Sequence, residues 1–129
     1  MKQVISTDKA PAAIGPYSQA IRAGEFLYIS GQIPIDPETG AIAAGSFGDL
    51  VRQSLNNLKA ILEKAGYALE DVVKTTIFLA DMGNFGTANA VYAKFFEKDA
   101  PARSCVAVKG LPKDVPIEIE AIAWKKSEN

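Results

Sequence analysis

The segment spanning residues 46–80 decides the fold, and it reads SFGDLVRQSLNNLKAILEKAGYALEDVVKTTIFLA. Its first half has apolar residues at successive spacings of four, three, four and three, the period of an amphipathic helix: Val51, Leu55, Leu58, Leu62 and Ala65. Ser46 or Asp49 can cap the start of this helix, and Gly66 suits its left-handed end. The second half, residues 72–80, is rich in β-branched residues and predicts a strand.

Further elements are predicted on both sides of this segment. Alternating or branched apolar runs predict strands over residues 4–6, 17–22, 25–30, 103–108 and 117–124. A turn-rich stretch at residues 36–40 follows the third strand. A second helix is predicted over residues 85–97, with these side chains facing inward: Phe85, Ala88, Tyr92 and Phe95 or Phe96.

The predicted order is three strands, a helix, a strand, a helix and two strands. No repeat or linker-like stretch interrupts residues 1–129, so we expect one domain. Two helices can cover only one face of a single sheet, which predicts an α+β fold. Because strand positions on both faces are apolar, we expect the second face to be buried in a homo-oligomer.

Composition and charge narrow the possible functions. The chain is 48% hydrophobic and 22% charged, as expected of a globular protein. Its 14 basic and 15 acidic residues give a net charge of −1, so nucleic acid is disfavoured as a partner, although a local basic patch is compatible with this balance. The N-terminus lacks a secretory apolar stretch and no run approaches the ~18 apolar residues of a membrane span, so we expect a cytoplasmic location.

The chain contains no histidine and one cysteine, Cys105. These counts exclude an internal disulfide, paired-cysteine zinc spacing, serine–histidine and cysteine–histidine nucleophile pairs, and the usual imidazole metal sites. No Asp/Glu cluster has the spacing of a known metal-binding loop. Catalysis would therefore use Arg, Glu, Asp, Tyr, Lys, Ser, Cys or backbone amides.

Arg103 and Cys105 are two residues apart on a predicted strand, so they share a face. The arginine fork suits a carboxylate, but a solvated arginine, or one paired with Glu118 or Glu120, fits the same pattern. Cys105 alone is typical of a small core residue, because no neighbouring base is identifiable.

Glu118 and Glu120 share a face of the last strand, and Ile117, Ile119 and Ala121 lie on the other. Partial burial would raise the pKa of a carboxyl and suit acid–base catalysis. A hydrated sheet face gives the same pattern.

Weaker signals come from the N-terminal half and the second helix. Ser30-Gly31-Gln32 follows a predicted strand, where exposed amides could hold an anionic oxygen or form a plain turn. Tyr17 lies at the mouth of a site or is a buried tyrosine with a satisfied hydroxyl. Asn89, on the second helix, is the weakest candidate. Together these groups suit a small carboxylate-bearing substrate whose reaction needs only proton transfer to or from water.

Several motifs in this chain resemble the Rid family, the reactive intermediate deaminases, also called YjgF-like or liver perchloric-acid-soluble proteins. They cover nearly the whole sequence: AIGPYSQA at 13–20, FLYISGQIP at 26–34, DPETG at 36–40, PARSCV at 101–106, LPK at 111–113 and IEIEAIA at 117–123. Trp124 and Lys109-Gly110 depart slightly from the family pattern and leave the substrate range open.

The resemblance implies a chorismate mutase-like fold and a homotrimer with clefts at the subunit interfaces. It further implies hydrolysis of enamines and imines, such as 2-aminoacrylate, 2-iminopropanoate and 2-iminobutanoate, to 2-keto acids and ammonia without cofactor or metal. In the family pattern Arg103 binds the substrate carboxylate and Glu118, rather than Glu120, is the acid–base residue. The remaining cleft residues are Tyr17, Ser30, Gly31, Asn89 and Cys105.

A mechanism follows as a hypothesis from these roles. Arg103 would grip the carboxylate, the Gly31 amide would fix an oxygen, and Glu118 would position a water and accept its proton. The competing interpretation is a regulatory, chaperone-like or RNA-directed translation-inhibitor module without catalysis. The lack of histidine disfavours a ribonuclease, because the usual acid–base pair is missing.

Overall fold

The computed structural model describes residues 1–127, and within them two helices pack on one face of a six-stranded sheet. The strands are β1 Gln3–Ile5, β2 Ala20–Ala23, β3 Phe26–Gln32, β4 Val72–Leu79, β5 Ala102–Ala107 and β6 Ile117–Trp124. The helices are α1 Phe47–Lys64 and α2 Phe85–Phe95. The predicted α+β class and order of elements are confirmed.

The strands are arranged in the order β1-β2-β3-β6-β4-β5. The β4–β5 pair is parallel and all other pairs are antiparallel, so the sheet is mixed. A parallel neighbour needs a crossover, and α2 supplies it between β4 and β5. The C-terminal strand β6 therefore lies in the middle of the sheet, and β5 lies at its edge.

Helix α1 begins and ends as its sequence predicts. Ser46 caps it in a capping box, in which the Asp49 amide donates to Ser46 Oγ and the Ser46 amide donates to Asp49 Oδ2. At the other end Gly66 has φ +84°, and the amide of Tyr67 donates to the Leu62 carbonyl at 2.9 Å. The predicted apolar stripe is confirmed, because its first four members are at most 2% exposed.

Three predictions about the elements are wrong. Strand β2 begins at Ala20 and not at residue 17, so Tyr17 lies in the loop that precedes it. Strand β3 continues through Gly31 to Gln32 and does not end at Ser30. A β-bulge between Ile29 and Gln32 shifts the register with β6, and the strand resumes its pairing after it. Phe85 does not face the core: it is 39% exposed and lies at the start of α2, near the sheet edge. The inward positions of α2 are Ala88, Val91 and Tyr92.

The helices cover one face of the sheet and leave the other face open. On β6, Ile117, Ile119, Ala121 and Ala123 are buried beneath the helices, and the intervening residues lie on the open face. No helix within residues 1–127 has the length and apolar character needed to span a membrane.

Candidate active site

A cleft of about 640 Å³ lies where the N-terminal loop meets strands β3 and β6. Its walls include Tyr17, Ser30, Gly31, Glu118 and Glu120. These are four of the predicted site residues together with the second glutamate of β6. The structure therefore brings these four candidates together in one cleft.

The β-bulge shapes the floor of this cleft. Ile29 pairs with Ala121 and Gln32 pairs with Ile119, so Ser30 and Gly31 together oppose the single residue Glu120. Such a bulge interrupts the ladder and leaves backbone groups free of strand pairing. The Ser30 amide donates to the Gln19 carbonyl at 2.9 Å, so an amide that holds an anionic oxygen stays a prediction for Gly31 alone.

Gly31 makes room for the carboxyl group of Glu118. A Cβ atom at Gly31 would lie 2.7 Å from Glu118 Cδ and 2.9 Å from its Cγ, closer than real Cβ contacts. Gly31 is not among the residues with positive φ, so the reason for a glycine here is space and not backbone freedom. The Glu118 side chain consequently lies flat against β3, inside the cleft.

The surroundings of Glu118 favour its protonated form. Burial raises the pKa of this carboxyl above its ordinary value, and the neighbouring charge of Glu120 raises it further. A glutamate that is half-buried and close to a second carboxylate can exchange a proton nearer to neutral pH than an exposed one. The expectation of partial desolvation is confirmed for Glu118, whereas Glu120 is exposed.

Two hydroxyl groups border the cleft. Ser30 Oγ donates to the Ser18 carbonyl at 2.6 Å, which fixes the serine and leaves its oxygen able to accept. Tyr17 is 52% exposed, so the alternative of a buried tyrosine is wrong. Its ring stands at the cleft mouth, where only the amide of Ile14 approaches the hydroxyl, at 3.4 Å.

Arg103 lies in a second group, on the helix-covered side at the edge strand β5. Its Nη1 donates to Asn89 Oδ1 at 2.8 Å. The guanidinium carbon lies 4.9 Å from the centre of the Tyr92 ring and 5.6 Å from that of Phe85. A shallow cavity of about 420 Å³ borders Arg103 and Asn89.

The alternative in which Arg103 pairs with Glu118 or Glu120 is wrong for the single chain. Within residues 1–127 the one salt bridge joins Arg52 and Asp49, in the first turns of α1. Arg103 thus has no carboxylate partner in this part of the chain. A substrate carboxylate would meet a guanidinium that is held in place but not neutralised.

Cys105 shares the face of Arg103, as predicted, and is half-buried. Burial raises the pKa of its thiol, and the nearby charge of Arg103 only partly opposes this shift. The thiol is therefore neutral at physiological pH, which disfavours a nucleophilic role.

The two groups lie on opposite faces of one sheet. Arg103 pairs in register with Thr75, which is fully buried beneath the helices, whereas Glu118 pairs with Phe78 and points to the open face. Strand β4 also separates the two strands, which puts them about 10 Å apart. A single chain therefore presents two half-sites that do not meet.

The chain is similar to known proteins over nearly its whole length. A family model described as endoribonuclease L-PSP matches residues 7–125. A RutC family protein of Pyrococcus horikoshii is 60% identical over 98% of this chain and 100% of the relative. A 2-iminobutanoate/2-iminopropanoate deaminase of Salmonella typhimurium is 54% identical over 98% of this chain and 100% of the relative. The crystal structure of a candidate endoribonuclease of Thermotoga maritima matches with a TM-score of 0.96 at 54% identity, covering 98% of this chain and 100% of that one.

The crystal structure of a protein of the conserved Rid family from Yersinia pestis matches with a TM-score of 0.94 at 47% identity, covering 97% of this chain and 100% of that one. The chain belongs to the Rid family. Its resemblance to that family is thereby confirmed, and the fold is that of the family's solved structures. No group of three His, Cys, Asp or Glu residues within 1–127 could hold a metal ion.

The structure places beside the two groups of candidates further residues that the sequence did not single out as site residues. Tyr92 and Phe85 contact the Arg103 guanidinium, and with Asn89 they follow the spacing i, i+4 and i+7 on α2. The sequence pattern assigns Phe85 and Tyr92 to the core and Asn89 to the weak site candidates, and it does not connect the two aromatic rings with the arginine on the next strand. Lys113 lines the first cleft from a turn in which it and Asp114 have φ of 57° and 55°, in the left-handed region.

Proposed function

We propose that this protein is a hydrolytic deaminase that converts 2-imino acids, including 2-iminopropanoate and 2-iminobutanoate, to 2-keto acids and ammonia. The observation that carries this proposal is the half-buried Glu118 carboxyl, seated on Gly31 in an open cleft with its pKa raised. A carboxyl in this state can guide a water molecule and take its proton. The activity named for the Salmonella relative supports the same reaction.

The complete site, in this proposal, forms between two copies of the chain. Glu118 and Arg103 face opposite sides of one sheet, so the Arg103 that serves a given Glu118 comes from a neighbouring subunit. The open face has the apolar surface that such assembly needs, because Phe26, Tyr28, Val106 and Trp124 are each at least 40% exposed. We propose a homotrimer, a closed ring in which each subunit offers different surfaces to its two neighbours.

The proposed reaction divides the work between the two half-sites. Arg103 binds the substrate carboxylate through two parallel hydrogen bonds and turns the C=N carbon toward a water molecule. Glu118 accepts a proton as the water oxygen bonds to that carbon and the electrons of the C=N π bond move to nitrogen. The substrate reacts as the protonated imine, so this step gives a neutral carbinolamine. Glu118 then gives its proton to the amino nitrogen, and the C–N bond breaks as the C=O bond forms. Ammonia leaves, and the hydroxyl proton passes to the Glu118 carboxylate and from there to solvent.

The other cleft residues have supporting roles in this proposal. The Gly31 amide and Ser30 fix oxygen atoms of the substrate or intermediate, and Tyr17 closes the mouth of the cleft. Cys105, as a neutral thiol, is a polar wall. Because imines hydrolyse without a catalyst, positioning and one proton carrier suffice, and neither nucleophile nor cofactor is required.

A second candidate is the RNA-directed or regulatory module, which the description of the family model supports. The net charge of −1 gives only a weak electrostatic attraction for RNA. Because the chain has no histidine, the usual acid–base pair of a ribonuclease is missing. The deaminase is the better-supported function on this chemistry.

A coupled assay tests the proposed function. A pyridoxal-phosphate-dependent dehydratase generates the imine from serine or threonine, and keto-acid release is followed by NADH oxidation with lactate dehydrogenase. We expect the rate of release to rise in proportion to the added protein, above that of spontaneous hydrolysis. A rate unchanged at equimolar protein would refute the proposal, and RNA cleavage by the same preparation would then favour the second candidate.

The raised pKa of Glu118 predicts opposite effects of Glu118→Gln on activity and stability. Because its pKa is raised, the Glu118 carboxyl binds a proton more tightly in the folded protein than in the unfolded chain. Its contribution to stability is therefore complete below pH 4.5, the ordinary pKa of a glutamate, and is lost as pH rises through the folded pKa. At pH 7 the ionised carboxyl is therefore a cost, and Glu118→Gln should raise Tm by about 2–4 °C while removing most activity.

Calorimetry at pH 7 and pH 4 checks this prediction, because the gain in Tm should disappear at the lower pH. Glu120→Gln is the matched control. It removes the neighbouring charge but keeps the Glu118 carboxyl, so it should retain activity and move the acid limb of the rate profile to lower pH. A Glu118→Gln protein that is less stable at pH 7 would contradict the prediction.

A further inference from the structure

One face of α2 is turned toward the Arg103 side chain. Phe85, Asn89 and Tyr92 lie at positions i, i+4 and i+7, which places them on a single stripe of the helix. The Asn89 amide oxygen accepts a hydrogen bond from Nη1, and the two aromatic rings lie within 6 Å of the guanidinium carbon. Arginines and aromatic rings at this distance attract each other through the ring quadrupole.

The Tyr92 ring is fixed from below by the core. Its hydroxyl lies 2.6 Å from Thr75 Oγ1, and Thr75 is fully buried. Thr75 is also the register partner of Arg103 across the β4–β5 pair, so the threonine and the arginine are neighbours on the same sheet face. Strand β4 therefore fixes the Tyr92 ring through Thr75, the residue that also pairs with Arg103.

An aromatic support differs from an ion pair in a way that matters for binding. A guanidinium has five N–H donors, and within residues 1–127 the hydrogen bond to Asn89 uses one of them. The ring faces attract the positive charge without occupying a donor. A carboxylate partner would fix the arginine equally well, but it would compete with the substrate for both charge and donors.

We infer that Tyr92, together with Phe85, is a positioning residue of the site: the two rings hold the Arg103 guanidinium with its fork free for an incoming carboxylate, and Thr75 fixes the Tyr92 ring. This inference rests on the proposed function, since it assigns Arg103 a carboxylate to bind. Arg103 binds that carboxylate throughout the reaction, so loosening the support weakens ground-state and transition-state binding together. The expected signature is a higher KM with little change in kcat.

The Tyr92→Leu variant removes the ring and the Tyr92→Phe variant keeps it. We expect KM for 2-iminobutanoate and the Kd of the product 2-ketobutanoate, measured by isothermal titration, to rise about tenfold in Tyr92→Leu, with kcat within about threefold of the wild type. Tyr92→Phe keeps the ring but loses the hydrogen bond to Thr75, so KM and Kd should rise about two- to threefold, less than in Tyr92→Leu, with kcat unchanged. Phe85→Leu, at a more exposed position, should raise KM and Kd about threefold with little risk to folding.

Tyr67→Leu is the matched structural control. Tyr67 is as buried as Tyr92, at 4% exposure, its ring lies 5.7 Å below the guanidinium carbon of Arg22, and its hydroxyl donates to the Glu25 carbonyl. The Tyr67→Leu variant loses a comparably buried tyrosine that lies away from both half-sites. Its Tm should therefore fall, while its KM and Kd stay unchanged.

Three outcomes overturn the inference: equal KM and Kd in Tyr92→Leu and wild type, a rise in Tyr67→Leu as large as that in Tyr92→Leu, or wild-type protein that does not bind the keto acid. If the wild type binds keto acid but does not speed imine hydrolysis, the proposed function fails while the Kd series still decides the role of Tyr92.

Discussion

Replacing Arg103 with alanine is expected to lower kcat/KM for 2-iminobutanoate about a thousandfold, to the level of spontaneous hydrolysis. Two charge-assisted hydrogen bonds from the guanidinium to the carboxylate are worth about 4 kcal/mol together, and each 1.4 kcal/mol is a factor of ten. The side chain is half-exposed, and within residues 1–127 its one side-chain hydrogen bond goes to Asn89, so its removal leaves no charged group buried without a partner. The coupled dehydratase assay measures the effect, with calorimetry to show that Tm is retained.

Arg103→Lys and Arg52→Ala are the controls. A lysine keeps the charge but has no rigid fork, so it should recover only part of the lost activity. Arg52 lies on α1, where it pairs with Asp49 on the surface, and its removal should leave the assay unchanged. An Arg103→Ala protein with more than about a tenth of wild-type kcat/KM would remove the central anion-binding role from the proposal.

The features that depend on local periodicity could be predicted from the sequence. The stripe on α1 and the capping residue Ser46 are set by residues within a few turns of one another, and both are confirmed. The strict alternation of β6 is equally local, and its predicted bounds match those of the structure. The same reasoning correctly grouped Arg103 with Cys105 and Glu118 with Glu120, because side chains two apart on a strand share a face.

The relation between those two groups could not be predicted in this way. Periodicity shows which residues of one strand share a face, but the choice of face and of neighbouring strand depends on long-range pairing. Here β4 separates β5 from β6, and Arg103 and Glu118 lie on opposite sides of the sheet. The bulge at Ser30 and Gly31 is likewise a property of the pairing with β6 and leaves no local signal except the glycine.

Mixed oligomers of Arg103→Ala and Glu118→Gln subunits are expected to recover activity that neither variant has alone. In the proposed ring each cleft takes its arginine from one subunit and its glutamate from the next. A cleft is intact when a Glu118→Gln subunit supplies Arg103 and an Arg103→Ala subunit supplies Glu118. A ring that contains both variants has one such cleft in three, so about a third of wild-type activity should return in the purified mixed trimers.

Coexpression of two differently tagged variants followed by sequential affinity purification gives the mixed species. Native mass spectrometry should show a mass near three times the 13.7 kDa of one chain. Mixing Arg103→Ala with Arg103→Met is the matched control: every cleft then lacks the arginine, and nothing should return. Recovery cannot occur if both side chains of a working site belong to one chain, because every subunit in the mixture carries one lesion. Mixed trimers without recovered activity would therefore contradict a cleft shared between subunits, whereas about a third of full activity requires that a subunit boundary passes between Arg103 and Glu118.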